Sequence, residues 1–269
     1  MRPYRIGVIG IGDISDVYIN NLKKYEIVEV ISCAARNLEK AQKKAEQHGL
    51  PEYYATAEEL IEKSDVDIIL NLTIPAVHGQ YNLAALRAGK HLYSEKPLAA
   101  GLSDGAEIMR LAREKSLCVG CAPDTFLGGR LQTCRRLIDD GTIGDVVAAS
   151  AFYLSRGNEW HHPNPDWFYQ VGAGPVLDIG PYYFTALLSL LGSARRCSAM
   201  ASRAFKSRPV VYGPRTGEEM QVEVDTHVTS NVEFHSGVLA SIVTSFDVWD
   251  ARLPRVEIYG TDGTISVPD

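Results

Sequence analysis

The sequence predicts two α/β domains. The first is a parallel sheet covered by helices on both faces, and the second an α+β unit on a large open, mainly antiparallel sheet. Three observations carry this reading. Strand and helix signals alternate over the first 120 residues, the rhythm changes near residue 122, and several extended segments then follow one another without intervening helices. At roughly 100–200 residues per domain, a chain of 269 residues accommodates both units. The expected boundaries are 1–122 and 123–269.

In the first domain, Ile6-Gly-Val-Ile-Gly10 is a short apolar strand closed by glycine, and Asp13 to Lys24 reads as a helix. Ile27 to Ala35 is rich in β-branched residues. Leu38 to His48 is helical and stops at Gly49-Leu-Pro51, and Thr56 with Glu59 resembles a capping box opening the next helix. Asp67 to Leu72, Ala76 to Ala88, His91 to Ser94 and Ser103 to Lys115 continue the alternation, which implies right-handed βαβ units. Beyond residue 122 come a helix over 129–140, a strand over 146–154, a polar aromatic loop over 156–170 and one buried helix over 174–191. Extended segments over 196–204, 221–234, 238–248 and 254–258 complete the second domain.

Composition excludes several classes. With 45% hydrophobic and 22% charged residues the chain matches soluble globular proteins, not disordered or fibrous ones. Lys+Arg 27 against Asp+Glu 33 gives a net charge of -6 with no basic cluster, which disfavours nucleic acid as a partner. No window approaches the ~18 apolar residues of a membrane span. The opening residues enter a strand directly and leave no room for a signal peptide, so a cytoplasmic location is expected. The 5 cysteines are read as reduced thiols. Cys118-Val-Gly-Cys121 lacks the second pair or histidine cluster that a metal site needs, and is read as buried packing with no metal.

Gly10-Ile-Gly12-Asp13-Ile14-Ser15 follows the first strand and opens the first helix. This is a G-x-G-x-x-S variant of the dinucleotide fingerprint. Gly10 permits the tight turn, Gly12 lets the backbone approach a pyrophosphate, and N–H groups at the helix start bind the anion. At the end of the second strand an acidic residue would hold the ribose hydroxyls of NAD. The chain has Ala34-Ala35-Arg36-Asn37 there instead. Arg36 can pair with a 2′-phosphate, so NADP is expected over NAD.

Glu95-Lys96-Pro97 after the fifth strand signal, with Asn71-Leu-Thr73-Ile-Pro75 and His78, resembles the Gfo/Idh/MocA oxidoreductase family. A second signature of that family is Gly172-Ala-Gly174-Pro-Val-Leu-Asp178-Ile-Gly180-Pro-Tyr182. The resemblance implies an N-terminal Rossmann domain that binds NAD(P), followed by a domain for substrate binding and oligomerisation. It implies that Thr73, Pro75, His78, Glu95 and Lys96 join the glycine turn around the cofactor, with His78 near the nicotinamide ribose. It also implies a homodimer or homotetramer formed through the second sheet. Many family members carry His where this chain has Tyr182. In this respect the chain is similar to the tyrosine-type members, glucose–fructose oxidoreductase and dihydrodiol dehydrogenase.

Oxidising an alcohol needs a proton acceptor beside the hydroxyl and a group that favours the developing alkoxide. Lys96, at the carboxyl end of a parallel strand, is placed for the second task, and Pro97 biases it toward an extended conformation. Asp178 and Tyr182, four apart, share one face of the predicted helix. Tyr182 is read as the proton carrier and Asp178 as the group orienting the lysine or the substrate, with Tyr183 left to packing. His161, His162 and Trp167, in a segment of mixed rings and hydrogen-bonding groups, suit a sugar or cyclitol. Asp124 and Phe126 are expected to face the same cleft.

The expected activity is hydride transfer between a nicotinamide cofactor and a secondary alcohol of a sugar, glycoside or polyol. Two alternatives stay open: a glycoside-cleaving enzyme that uses transient oxidation, and a non-catalytic dinucleotide sensor. Against the family pattern, residues 256–269 resemble the hairpin before the last strands and final helix of family members. The substrate domain is therefore expected to be truncated and to present an exposed sheet edge.

Overall fold

The computed structural model describes residues 2–267, so the ends of both expected domain ranges, and the last two residues of the expected terminal hairpin, lie outside the described residues. The chain separates into two compact units that divide between Ala122 and Pro123.

The first unit alternates β1 (Tyr4–Ile9), α1 (Ile14–Leu22), β2 (Val28–Ala34), α2 (Leu38–His48), β3 (Glu52–Tyr54), α3 (Ala57–Lys63), β4 (Ile68–Asn71), α4 (Pro75–Arg87), β5 (His91–Ser94), α5 (Leu102–Glu114) and β6 (Val119–Cys121). All neighbours in its sheet are parallel, in the order β3-β2-β1-β4-β5-β6. The chain builds outward from β1 to β3 on one side, then returns to β4 on the other side of β1. A crevice therefore opens at the carboxyl ends of β1 and β4, the topological switch point where open α/β sheets bind ligands. Apolar residues of the strands pack against helices in two clusters. One contains Ile9, Ile69 and Leu92, the other Val8, Cys33 and Leu70. Asn37 caps α2 by accepting from the Lys40 amide at 3.0 Å, and Gly49 ends it at φ 63. Thr56 caps α3 by accepting from the Glu59 amide at 3.1 Å, the forward half of the expected capping box.

The second unit opens with a 3-10 turn (Thr125–Leu127) and continues through α6 (Gly129–Asp139), β7 (Val146–Leu154), a second 3-10 turn (Asp166–Tyr169), α7 (Gly174–Asp178), α8 (Gly180–Leu191), β8 (Ala194–Ser202), β9 (Ser207–Pro209), β10 (Glu219–Gln221), β11 (His227–Phe234), β12 (Leu239–Ser245), β13 (Val256–Gly260) and β14 (Thr264–Ser266). Its large sheet runs β14-β13-β7-β12-β11-β8, antiparallel except for the parallel β7–β12 pair. The helices cover one face, where Leu187 and Leu190 of α8 pack on Ala149, Ala151, Val232 and Ile242. β8 is an end strand, and every one of its residues is exposed.

Three expectations need correction, and one strand was not expected. The helix expected over 174–191 is two helices, broken at Ile179. Pro181 in the first turn of α8 has no N–H to continue the ladder, and the Tyr182 amide instead bonds the Ile179 carbonyl at 3.0 Å. The strand expected over 221–234 is interrupted because β10 pairs with β9, whereas β11 belongs to the main sheet between β8 and β12. The three-residue β3 escapes the sequence pattern, being too short to show a period. Cys118 is exposed and Cys121 only half-buried, since β6 is an end strand of its sheet.

Candidate active site

The parallel ladders bring four strand ends of the first unit into line. Ile9 pairs with Ala34 and with Asn71, and Asn71 pairs with Ser94. The residues that follow these strands therefore emerge side by side: the glycine turn after β1, Ala35-Arg36 after β2, Thr73 and Pro75 after β4, and Glu95-Lys96 after β5.

The glycine turn is shaped by its backbone. Gly10 has φ 85, and a Cβ on it would lie 2.6 Å from the Leu72 carbonyl group and the Thr73 nitrogen. Only glycine fits. Gly12 has open space where a side chain would stand. Asp13 makes no side-chain cap at the start of α1, so the helix entrance is left to whatever anion approaches it. Ser15 is fully buried, and its hydroxyl donates to the Gly12 carbonyl at 2.6 Å. It fills the helix–strand contact that the fingerprint reserves for a small residue. Ile14 and Arg36 are exposed, and Arg36 follows β2 with no carboxylate beside it in the chain. A positive-φ glycine that opens the turn, an unobstructed Gly12 and an uncapped helix start fit a dinucleotide pyrophosphate.

Glu95 is held by two donors, the Tyr18 hydroxyl at 2.7 Å and the Lys96 amide at 3.0 Å. Burial, and then the Glu95 carboxylate, push the Tyr18 hydroxyl far above the usual phenol range. Lys96 is half-buried, and the Lys96–Pro97 bond is cis. Thr73 donates both its amide (3.1 Å) and its hydroxyl (2.6 Å) to the Asn71 side chain. Pro75 starts α4 at its first turn. His78 is fully buried, with its ring nitrogens 2.6 Å from the Pro97 carbonyl and 2.8 Å from the Thr73 carbonyl. Its direct partners are thus the two loops themselves. Burial pushes the Cys121 thiol up to about 12, so it is inert as a nucleophile at neutral pH.

In the second unit Asp178 closes α7 and is 6% exposed, and Tyr182 lies in the first turn of α8, across the break. The 3-10 turn that follows Asp124 and carries Phe126 packs on α8, and the turn carrying Trp167 packs on α7. Tyr183 packs against the sheet core and meets Tyr153 with ring centroids 6.1 Å apart. Of the residues expected to meet a sugar, Trp167 stacks on Phe168 at 3.6 Å, and His162 packs edge-on against both rings. His161 is exposed.

Residues 4–122 match an oxidoreductase family with an NAD-binding Rossmann fold, and residues 131–266 match the GFO/IDH/MocA C-terminal domain. The chain belongs to the GFO/IDH/MocA family. Membership makes it an oxidoreductase. It is 29% identical to 1,5-anhydro-D-fructose reductase of Ensifer adhaerens over 97% of this chain and 74% of that one. It is 28% identical to trans-1,2-dihydrobenzene-1,2-diol dehydrogenase of Xenopus tropicalis, again over 97% of this chain and 74% of that one. A solved NAD-binding oxidoreductase from Klebsiella pneumoniae superposes with a TM-score of 0.82 at 26% identity, covering 98% of this chain and 72% of that one. The chain therefore spans about three-quarters of the length of these relatives. No described helix is long and apolar enough to cross a membrane, and no group of three potential metal ligands occurs among the described residues.

Two sets of polar residues were not singled out by the sequence. One is Asn82 with Ser94, both fully buried beneath the Thr73 and Lys96 loops. The available signal is that His78, Asn82 and Leu86, four residues apart, share the buried face of α4, where apolar residues are the rule. The other is a charged cluster in the second unit. Arg208 donates to Glu159 at 2.6 Å, pairs with Asp247, and donates to the Phe246 carbonyl at 2.9 Å. The Tyr169 hydroxyl donates to Glu159, and Thr226 donates to Asp247 at 2.6 Å.

Proposed function

We propose that this family member is an NADP-preferring oxidoreductase that interconverts a secondary alcohol and a ketone on a sugar, glycoside or polyol. The observation that carries the reading is the shared carboxyl edge of the first sheet, where the glycine turn, Thr73 and Lys96 follow adjacent strands. A nicotinamide dinucleotide bound at that turn supplies hydride exchange. Gly10, Gly12, Asp13 and Ile14 present backbone to its pyrophosphate, and Arg36 pairs with a 2′-phosphate. The Lys96 ammonium hydrogen-bonds the reacting oxygen and offsets negative charge as an alkoxide develops. Tyr182 carries the hydroxyl proton, and Asp178 orients the substrate. A relative named as a reductase of 1,5-anhydro-D-fructose supports the sugar class.

The test is incubation with NADP or NAD and a panel of sugars and polyols, following absorbance of the reduced nicotinamide. Turnover of at least one sugar, with a higher kcat/KM for NADP, is expected. Lys96→Ala and Tyr182→Phe should each lower kcat by ~10²–10⁴-fold while the dinucleotide Kd holds. Unchanged turnover removes that residue from the mechanism. Arg36→Ala should lower kcat/KM with NADP by about tenfold or more and spare NAD, as expected for a lost charge-assisted bond. Equal efficiency of the wild type with both cofactors overturns the NADP assignment. Release of an aglycone without net cofactor reduction identifies the glycoside-cleaving chemistry instead, and tight dinucleotide binding without turnover across the panel identifies a sensor.

A further inference from the structure

Two buried bridges join the loop after β4 to the loop after β5. The first is an asparagine relay. The Thr73 amide and hydroxyl both donate to Asn71 Oδ1, Asn71 Nδ2 donates to Asn82 Oδ1 at 2.8 Å, and Asn82 Nδ2 donates to the Leu98 carbonyl at 2.8 Å. Its direction is set by its ends. A backbone N–H can only donate and a carbonyl can only accept, so each amide has one orientation that satisfies both neighbours. Asn82 Nδ2 also lies 3.1 Å from Ser94 Oγ, which donates to the Glu95 carbonyl at 2.9 Å. The second bridge is the His78 ring, between the Thr73 and Pro97 carbonyls. Both bridges start on Thr73 and end on Pro97 or Leu98, directly after Lys96.

Asn71, His78, Asn82 and Ser94 are all fully buried. A buried amide left unsatisfied is costly, so such a network tolerates few alternative loop positions. Helix α4 carries both struts, with His78 and Asn82 one turn apart on its buried face.

We propose that Asn82, with His78, is a positioning residue of the oxidoreductase: it fixes the Lys96 loop at a set separation from the Thr73 loop, and so fixes where the lysine ammonium stands. Asn82 meets the reaction only through these loops. The proposal rests on the assignment of Lys96 to the reacting oxygen, and it is tested first by a measurement that needs neither cofactor nor substrate. Hydrogen exchange followed by mass spectrometry is compared for the wild type, Asn82→Leu and His78→Phe. Peptides covering 71–75 and 94–99 should both exchange about tenfold faster in each variant, while α1 and β2 keep wild-type rates, because the loss is local. Should Asn82→Leu fail to fold, Asn82→Asp keeps an acceptor for Asn71 and replaces the Nδ2 donor to Leu98 and Ser94 by an oxygen, and the same two peptides are read. Unchanged exchange in both loops, or uniform acceleration across the sheet, overturns the proposal.

The second arm uses NADPH binding, read by fluorescence, and turnover of the best sugar found in the panel. Asn82→Leu should lower kcat about tenfold with the NADPH Kd held within about threefold, since small misplacement of a reacting group is costly. In a Lys96→Ala background the same change should alter kcat less than about twofold, because the effect travels through the lysine. A full tenfold loss persisting without Lys96 overturns the positioning role. If the wild type turns over no sugar, the substrate reading fails, and the exchange arm alone still decides whether the bridges hold the loops.

Discussion

The two units bury polar groups by opposite means. In the first, every member of the Asn71–Asn82–Ser94–His78 network is an amide, hydroxyl or imidazole, and its ends are main-chain groups. In the second, Arg208 sits between the carboxylates of Glu159 and Asp247, with side-chain exposures of 7%, 5% and 9%. Hydroxyls of Tyr169 and Thr226 complete the solvation of those carboxylates, yet Arg208 Nε and Asn158 Nδ2 are buried with no hydrogen-bond partner. The network of the first unit distributes its cost over many modest bonds. The charged one concentrates it on a single cation, and losing one partner of a buried pair strands the others.

That contrast sets the largest expected effect. Arg208→Met keeps much of the side-chain volume but leaves Glu159 and Asp247 buried without a counter-ion. It should cost about 3–5 kcal/mol in urea unfolding of the full chain. A loss under about 1 kcal/mol would show that the carboxylates find water or protonate at little cost, and the two networks would then not differ in kind. Tyr169→Phe removes a neutral donor from the same cluster. It takes the hydroxyl from Glu159 and an acceptor from the Asn158 amide, which it meets at 3.1 Å. About 1–3 kcal/mol is expected, the range for one buried unsatisfied group. Equal losses in the two variants would show that the hydroxyl, not the guanidinium, holds the cluster together.

The same contrast separates what was legible in the sequence from what was not. The parallel sheet was readable because strands such as Ile6 to Ile9 are apolar runs bounded by glycine, and because helix ends announce themselves through Thr56 and Gly49. The family motifs at Gly10, Lys96 and Asp178 are local in sequence and were found for that reason. The break at Ile179 was missed although Pro181 marks it, because the apolar pattern runs straight through from α7 into α8. Between inward packing and ligand contact the sequence did not decide for Trp167 and Phe168, since a run of rings reads alike whether it faces a ligand or its own core. Arg208 lies 49 residues from Glu159 and 39 from Asp247, so no spacing rule connects them. The asparagine relay had a signal, a polar residue on a buried helix face, but its partners on β4 and β5 meet it only after the sheet forms.

A third, exposed pairing gives the smallest effect and sharpens the comparison through pH. At the amino-terminal edge of the first sheet, the Arg2 guanidinium grips Asp67 through two bonds of 2.8 and 2.7 Å, and the Arg5 amide donates to it at 2.8 Å. Arg2, and then the Arg5 amide, hold the Asp67 carboxyl down at about 2, against a burial effect that opposes them. Since the folded value lies below the unfolded value of 3.8, the carboxylate contributes its full stability above about pH 4. That contribution is lost as pH falls from about 4 through about 2. Asp67→Asn should therefore be less stable than the wild type at pH 7, and the gap should close progressively across that acid window. The loss should be smaller than at Tyr169, because the Arg2 side chain is 59% exposed and its pairing is screened by water and salt. Raising the salt concentration at pH 7 should shrink the gap at Asp67 while leaving the loss at Arg208 nearly unchanged. A salt-insensitive gap at Asp67 would mean that the Arg5 amide, not Arg2, holds the carboxylate.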